Sequence, residues 1–220
     1  MYTLFWEMIS GAMAPQAMME EMGIAYEKVT IDMAANEHWA KPYLAQNPTG
    51  QVPALKFGAE SVMGESAAIV LFLGEQHPEG KLVPQPGETD RPAFLFWLMY
   101  MATSGYMTFG RSCHPERFTT DQNALDPVRH AAESQISRFF ETLEGAIAGD
   151  PYFVPSGFSA LDIYLTMLTT WHSDKAAMFD ANPKIAKLCA AVEARPAYKR
   201  VMLDHSLSPS NFQTSDAISA

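Results

Sequence analysis

The feature that most restricts the fold of this chain is a change of pattern near residue 85. Before it, short β-like runs alternate with helical ones, and after it nearly every periodic segment is helical. The alternation is typical of a βαβ unit and a mixed sheet, whereas an unbroken helical pattern is typical of a bundle. The sequence therefore predicts an α+β domain followed by an all-α domain.

The first 80 residues predict the element order β-α-β, an unassigned stretch, and then β-β-α. Aromatic and β-branched residues mark the strands, and apolar residues at three- and four-residue steps mark the helices. The predicted strands are 2–6, 26–31, 52–57 and 61–63, and the helices are 12–22 and 66–76. Residues 58–60 predict a hairpin turn, and Gly23 is the expected C-cap of the first helix.

Helix breakers over 80–87 indicate the connection between the domains. The predicted arrangement is a domain over 1–80, a linker over 81–91, an all-helical domain over 92–205 and a flexible tail over 206–220. The second domain is expected to open with a helix from Thr89 to about Phe109. Apolar residues recurring from Val128 to Ile147 predict one long amphipathic helix.

Charge and apolar content limit the possible partners. The chain has 15 basic and 25 acidic residues, a net charge of -10, so it offers no electrostatic source for binding nucleic acid or an anionic membrane. The longest nearly unbroken apolar run, Phe94 to Ala102, is far shorter than the about 20 residues of a membrane span. The first residues lack a basic segment and a cleavage site, so a cytoplasmic location is expected.

No disulfide or metal site is expected. Cys113 and Cys189 stand far apart, with no CxxC pair and no histidines at ligand spacing. Both cysteines are expected to be buried as small apolar residues.

The most informative segment is 47–55, in which a turn leads into a strand that contains Pro53. Proline has no N–H for a strand ladder, so Pro53 indicates a sheet edge, a bulge or a cis peptide. The backbone of Val52 would then be available to an extended ligand. An edge strand without a ligand is the alternative interpretation.

A second polar feature, Glu65-Ser66, precedes an apolar helix. Amides at a helix N-terminus bind carboxylates, while a nearby carboxylate can pair with an ammonium. The two residues together suit the head group of an amino acid. Ordinary helix capping is the alternative interpretation.

Segment 47–55 followed by Glu65-Ser66 resembles the glutathione site of the glutathione S-transferase family. The resemblance extends to Phe158–Ile163, which is similar to the capping motif of the family's second domain, and covers residues 2 to about 204. It implies a thioredoxin-like N-terminal domain, an all-helical C-terminal domain, and a homodimer active in detoxification. The run from Trp97 to Thr103 is most similar to bacterial, beta-like members.

The resemblance also implies roles for individual residues. Val52 would pair its backbone with the cysteinyl unit of glutathione and Pro53 would be cis, with Gln51 as a neighbouring contact. Glu65 and Ser66 would hold the γ-glutamyl end. The glycine carboxylate would bind Lys41, with His38 as the alternative, although a lysine in a polar stretch is also explained as a solvated surface charge.

The reaction implied by the resemblance requires the thiolate of the cosubstrate glutathione, whose free pKa is about 8.5. The donors that stabilise it are expected after the first strand, where Ser10 has the sole hydroxyl of the loop. Beta-like members commonly have a cysteine where Gly11 stands, which disfavours a mixed-disulfide mechanism here. The Ser10 hydroxyl and the backbone amides of Ser10 and Gly11 remain as donors, and Ser10 as a plain helix N-cap is the alternative.

The second substrate, a hydrophobic electrophile, is expected between this loop and the helix that begins at Thr89. Tyr106 is the predicted pocket residue, since its phenol can donate a hydrogen bond, although core packing also explains it. Ser159 and Asp162 form an S-x-x-D capping box, so Asp162→Ala is expected to cost about 1–2 kcal/mol of folding stability. The implied function is a glutathione transferase. The alternatives are a non-catalytic ligand-binding protein of the same fold and a glutathione-dependent lyase, dehalogenase or isomerase.

Overall fold

The computed structural model describes residues 1–58 and 61–206. These residues form two units: Met1–Arg91 together with 193–206, and Pro92–Val192. The last described helix thus groups with the N-terminal residues rather than with the helices that precede it. The expected tail over 206–220 lies outside the described residues apart from Ser206, as do two residues of the turn 58–60.

A four-stranded mixed sheet forms the centre of the first unit, with the strand order β2-β1-β3-β4. β1 runs parallel to β2 and antiparallel to β3, which is antiparallel to β4. The strands are β1 (Tyr2–Trp6), β2 (Tyr26–Thr30), β3 (Ala54–Phe57) and β4 (Ser61–Met63). This sheet is thioredoxin-like, as the resemblance implied.

Four helices accompany the sheet in the first unit. They are α1 (Met13–Met22), α2 (Lys41–Leu44), α3 (Ser66–Gln76) and α10 (Pro196–Asp204). α1 contacts both α3 and α10 and buries its first seven residues, including Met13, Met18 and Met19. Gly23 ends α1 at φ 64°, a left-handed conformation that glycine adopts without strain.

Strand β3 begins at Ala54, two residues later than the sequence predicted. Pro53 carries no N–H and cannot join a ladder, so pairing with β1 starts after it, at Ala54 opposite Phe5. Between β2 and β3 the chain forms a 3-10 turn, Glu37–Trp39, followed by α2.

The second unit is helical. Its helices are α4 (Arg91–Tyr100), α5 (Met107–Cys113), α6 (Leu125–Ala146), α7 (Ala160–Thr169), α8 (Lys175–Ala181) and α9 (Pro183–Glu193). All ten residues of α7 are buried, as expected of a helix that is enclosed on every side. α6 is amphipathic over the predicted segment and buries a stripe that includes Ile136, Phe140 and Leu143.

The helix expected from Thr89 to about Phe109 is interrupted by a π-helical turn, Met101–Tyr106, between α4 and α5. Gly105 lies in this turn against the ring of Phe139, which a β-carbon there would meet at 2.4 Å. No proline stands within residues 101–106, so the sequence pattern did not predict this interruption.

The capping box at the start of α7 is formed as the sequence predicted. Ser159 Oγ accepts from the amide of Leu161 (3.3 Å), and Asp162 Oδ2 accepts from the amide of Ser159 (2.7 Å). Asp162 Oδ1 also accepts from the amide of Phe153 at 2.7 Å. Desolvation by burial raises the pKa of Asp162 to about 6, and its hydrogen bonds oppose that shift.

In the part of the chain that the structure describes, no helix combines the length and apolar character needed to cross a membrane.

Candidate functional site

The loop between β1 and α1 carries Ser10, whose side chain is already hydrogen-bonded. Ser10 Oγ donates to the carbonyl of Glu7 (2.7 Å) and accepts from the amide of Ala12 (3.2 Å). Ala12 immediately precedes α1, which has no side-chain cap. Ser10 therefore braces the loop instead of occupying the N-cap position, and its hydroxyl proton is committed to Glu7.

The same loop leaves backbone donors available. Within residues 1–58 and 61–206, the amides of Ser10 and Gly11 make no hydrogen bond. They lie just before the N-terminus of α1, where the aligned peptide dipoles favour an anion. An arrangement of this kind can hold a thiolate.

The turn before β3 fixes one carbonyl firmly and leaves the next residue unpaired. Gln51 O accepts from the phenol of Tyr43 (2.5 Å) and from Asn47 Nδ2 (2.8 Å). Burial raises the pKa of Tyr43, so its phenol remains a donor. Val52 follows, and neither its N–H nor its carbonyl has a hydrogen-bond partner among the described residues. The Val52–Pro53 peptide is cis, as the resemblance implied.

Glu65 and Ser66 lie beside this turn. A β-carbon added to Gly64 would be 3.8 Å from Asn47 Nδ2, so the chain before Glu65 packs against the same amide that holds Gln51. Ser66 is buried at the first position of α3, and Glu65 is exposed at φ 63° and ψ 106°. A non-glycine residue in that region is strained by about 1–3 kcal/mol, a cost that clusters at ligand sites.

Lys41 begins α2 and is exposed, as is Gln51. Tyr43, two residues after Lys41 in α2, links this helix to the turn at Val52 by its hydrogen bond to the Gln51 carbonyl. His38 is 8% exposed, and its Nδ1 has no partner among the described residues. Gly50 has φ 61°, and a β-carbon there would meet the Trp39 ring at 2.7 Å, so this turn requires glycine.

Tyr106 belongs to the second unit, where it ends the π-helical turn. Its ring packs edge-on against Trp171, with centroids 4.8 Å apart. Phe109 contacts the same indole at 5.9 Å. The packing expected for a core residue is therefore present, and the phenol is partly exposed.

Two residues near these features were not predicted as functional. Tyr43 could have been suspected, because it precedes Asn47 by four residues, about one helical turn. His205, whose Nδ1 accepts from the amide of Ile9 at 2.8 Å, gave no sequence signal, because 196 residues separate the two.

Two further features of the described residues concern metal binding and cysteine ionisation. Among residues 1–58 and 61–206, no group of three or more His, Cys, Asp or Glu side chains could hold a metal ion. Burial raises the pKa of the Cys113 thiol, which keeps that cysteine protonated.

Comparison with known proteins matches residues 13–76 to the N-terminal domain model of glutathione S-transferases. Glutathione S-transferase PARB of Nicotiana tabacum is 27% identical over 201 residues, covering 87% of this chain and 92% of the relative. The uncharacterized GST-like protein YncG of Escherichia coli K12 is 25% identical over the same shares of both chains.

Solved structures share the whole fold. A glutathione transferase homolog from Sulfitobacter with bound glutathione has a TM-score of 0.86 at 24% identity, over 94% of this chain and 99% of that one. A sphingomonad glutathione S-transferase complexed with glutathione has a TM-score of 0.80 at 25% identity, over 94% and 100%. Residues 13–76 thus match the N-terminal domain of glutathione S-transferases, and the chain, with its thioredoxin-like sheet and helical second unit, is similar to proteins of that name over most of its length.

Proposed function

We propose that this protein binds glutathione in its first unit, lowers the pKa of the thiol, and transfers the thiolate to an electrophilic carbon of a hydrophobic compound. The observation that carries the proposal is the unpaired backbone of Val52. A peptide N–H and C=O that stand side by side without partners offer a peptide ligand the two hydrogen bonds of a strand pair.

The two ends of glutathione find complementary groups near that residue. The γ-glutamyl ammonium would pair with the exposed Glu65 carboxylate, and its carboxylate would bind Ser66 and the first amides of α3. Gln51 would add a neighbouring contact, and Lys41 would bind the glycine carboxylate. The strained backbone of Glu65 supports a role in binding, because nothing in helix capping requires it.

The thiolate would be stabilised by the amides of Ser10 and Gly11. The Ser10 hydroxyl proton is bound to the Glu7 carbonyl, so the hydroxyl serves better as a brace for the loop than as the donor to sulfur. Lowering a thiol pKa by two units needs about 2.7 kcal/mol of preference for the anion. Two amide donors at a helix N-terminus can supply that amount.

The remaining parts of the proposal come from the sequence and the family. Tyr106 would contact the second substrate with its partly exposed phenol. The enzyme would act as a cytoplasmic homodimer in detoxification.

Calorimetry with reduced glutathione, a thiolate titration in the binary complex and turnover of an activated aryl chloride test this function. We expect saturable binding, a bound thiol pKa about two units below the free value, and measurable turnover. Binding with an unshifted thiol pKa and no turnover would favour the non-catalytic ligand-binding protein. Absence of binding at millimolar glutathione would reject the proposal.

A further inference from the structure

His205 is fully buried at the C-terminal end of α10 and joins a chain of hydrogen bonds that ends on the β1–α1 loop. Its Nδ1 accepts from the amide of Ile9 at 2.8 Å, and its Nε2 lies 3.0 Å from Gln16 Oε1. Gln16 Nε2 in turn donates to Asp204 Oδ2 at 2.6 Å, and Lys28 pairs with the same carboxylate. All of these groups lie in the first unit.

The donors and acceptors in this series of hydrogen bonds determine which nitrogen of His205 carries the proton. A backbone N–H can only donate, so Nδ1 must present a lone pair to Ile9. Nε2 therefore carries the proton and donates to Gln16 Oε1, which leaves the amide nitrogen of Gln16 to donate to Asp204. In every one of these hydrogen bonds the donor lies on the side of the loop and the acceptor on the side of the Asp204 carboxylate. Each hydrogen bond therefore polarises the next one.

Ile9 needs such support. Its φ is 54°, a left-handed conformation in which a β-branched side chain is a genuine outlier that costs about 1–3 kcal/mol. Packing of the side chain offsets this only in part, because Ile9 is 40% exposed. The bond to His205 fixes the backbone directly at the residue before Ser10.

We propose that His205 is a positioning residue that holds the loop in the conformation where the Ser10 and Gly11 amides bind the glutathione thiolate. The inference rests on the proposed function for the identity of the ligand. The hold on the loop itself is a property of the unliganded protein, and His205 is fully buried.

Two variants of His205 separate positioning from a general loss of stability. In His205→Asn, the side-chain oxygen can take the place of Nδ1 and accept from Ile9, whereas His205→Leu removes the acceptor. His77→Leu is the matched control. His77 also makes a side-chain hydrogen bond within the first unit, to the Tyr2 hydroxyl at 3.0 Å, but both residues lie outside the β1–α1 loop.

The first readout, exchange of the Ile9 amide in the unliganded proteins, is followed by NMR. The second is the thiol pKa and Kd of bound glutathione. For His205→Leu we expect exchange at least about tenfold faster, a thiol pKa higher by about one unit, and a Kd within about threefold of wild type, because the tripeptide is held elsewhere. His205→Asn should restore both the exchange rate and the thiol pKa, and His77→Leu should change neither.

Unchanged Ile9 exchange in His205→Leu would overturn the proposal, as would a folded His205→Asn that matches the leucine variant in thiol pKa. Should His205→Leu fail to fold, the asparagine variant decides alone: Ile9 protection and thiol pKa near the wild-type values support the proposal, and loss of both rejects it. If wild type binds no glutathione, the proposed function fails, while the exchange rates still decide whether His205 holds the loop.

Discussion

The N-termini of α1 and α7 differ in how the backbone amides that lack a partner within the helix are treated. At α7, Ser159 and Asp162 satisfy the amides that the first turn leaves unpaired, and the box is fully enclosed. At α1, Ser10 braces its own loop and the amides of Ser10 and Gly11 remain without partners among the described residues.

The difference separates a helix start whose amides stabilise the fold from one whose amides have no partner among the described residues. A cap that hydrogen-bonds the amides of the first turn stabilises the folded protein. A helix start without such a cap leaves those amides available to an anion. The loop before α1 is held from within by the Ser10 hydroxyl and from a distant part of the sequence by His205. The predictions on Asp162, His205 and Ser10 test the two sides of that contrast, and the one on Glu65 tests the neighbouring start of α3.

The largest effect is expected for Asp162→Ala. The change leaves the buried amides of Phe153 and Ser159 without an acceptor, and each such orphan costs about 1–3 kcal/mol. The total, about 2–6 kcal/mol, exceeds the 1–2 kcal/mol expected from the capping box alone, because the bond to Phe153 was not evident from the sequence. Chemical denaturation measures it. Glutathione affinity of the folded fraction should match wild type, and a selective loss of affinity would contradict the structural role.

The two helix starts should respond to pH with opposite signs. Asp162 has a folded pKa of about 6, above its unfolded value of 3.8, so its contribution to stability is present below pH 4 and lost as pH rises through 6. Desolvation lowers the pKa of His205 from 6.5 to about 4, so its contribution is present above pH 6.5 and lost as pH falls through 4. Each amounts to about 3 kcal/mol.

Unfolding curves of wild type, Asp162→Asn and His205→Asn between pH 4 and 7 separate the two contributions. The stability difference from Asp162→Asn should shrink as pH rises, and the difference from His205→Asn should grow. Parallel curves for all three proteins would show that neither group titrates as assigned.

A smaller effect is expected for Glu65→Gln, which removes the carboxylate proposed for the γ-glutamyl ammonium. Charge-assisted bonds contribute about 1.5–3 kcal/mol, so glutathione affinity should fall about 10- to 100-fold. Stability should barely change, because Glu65 is exposed and makes no side-chain capping bond. Calorimetry measures the affinity, with Glu79→Gln as a matched exposed carboxylate in the first unit. Equal affinities for the two variants would remove Glu65 from the site.

The smallest effect is expected for Ser10→Ala. If the backbone amides are the donors, the bound thiol pKa should shift by less than about one unit. The lost bonds to Glu7 and Ala12 should cost about 0.5–1.5 kcal/mol of stability. A thiolate titration of the binary complex provides the test. A thiol pKa that returns to the free value would identify the Ser10 hydroxyl as the donor.

Local features were predictable from the sequence, and remote contacts were not. The capping box at Ser159 and the strand interrupted at Pro53 depend on neighbours within a few residues, so their patterns are readable along the chain. The anchoring of Gln51 by Tyr43 and the bond between His205 and Ile9 depend on tertiary packing. No periodicity encodes such contacts, because they join elements whose separation in sequence is arbitrary.

Strand β2 lies at one edge of the sheet, and its last four residues are exposed. An open edge can pair with a strand from another molecule and begin aggregation, which charges on the strand discourage. Glu27 and Lys28 supply such charges here, and Lys28 is held by Asp204 of α10. A chain truncated before α10 would lose the Asp204 carboxylate that pairs with Lys28, so α10 fixes a side chain at the sheet edge as well as the amide of Ile9.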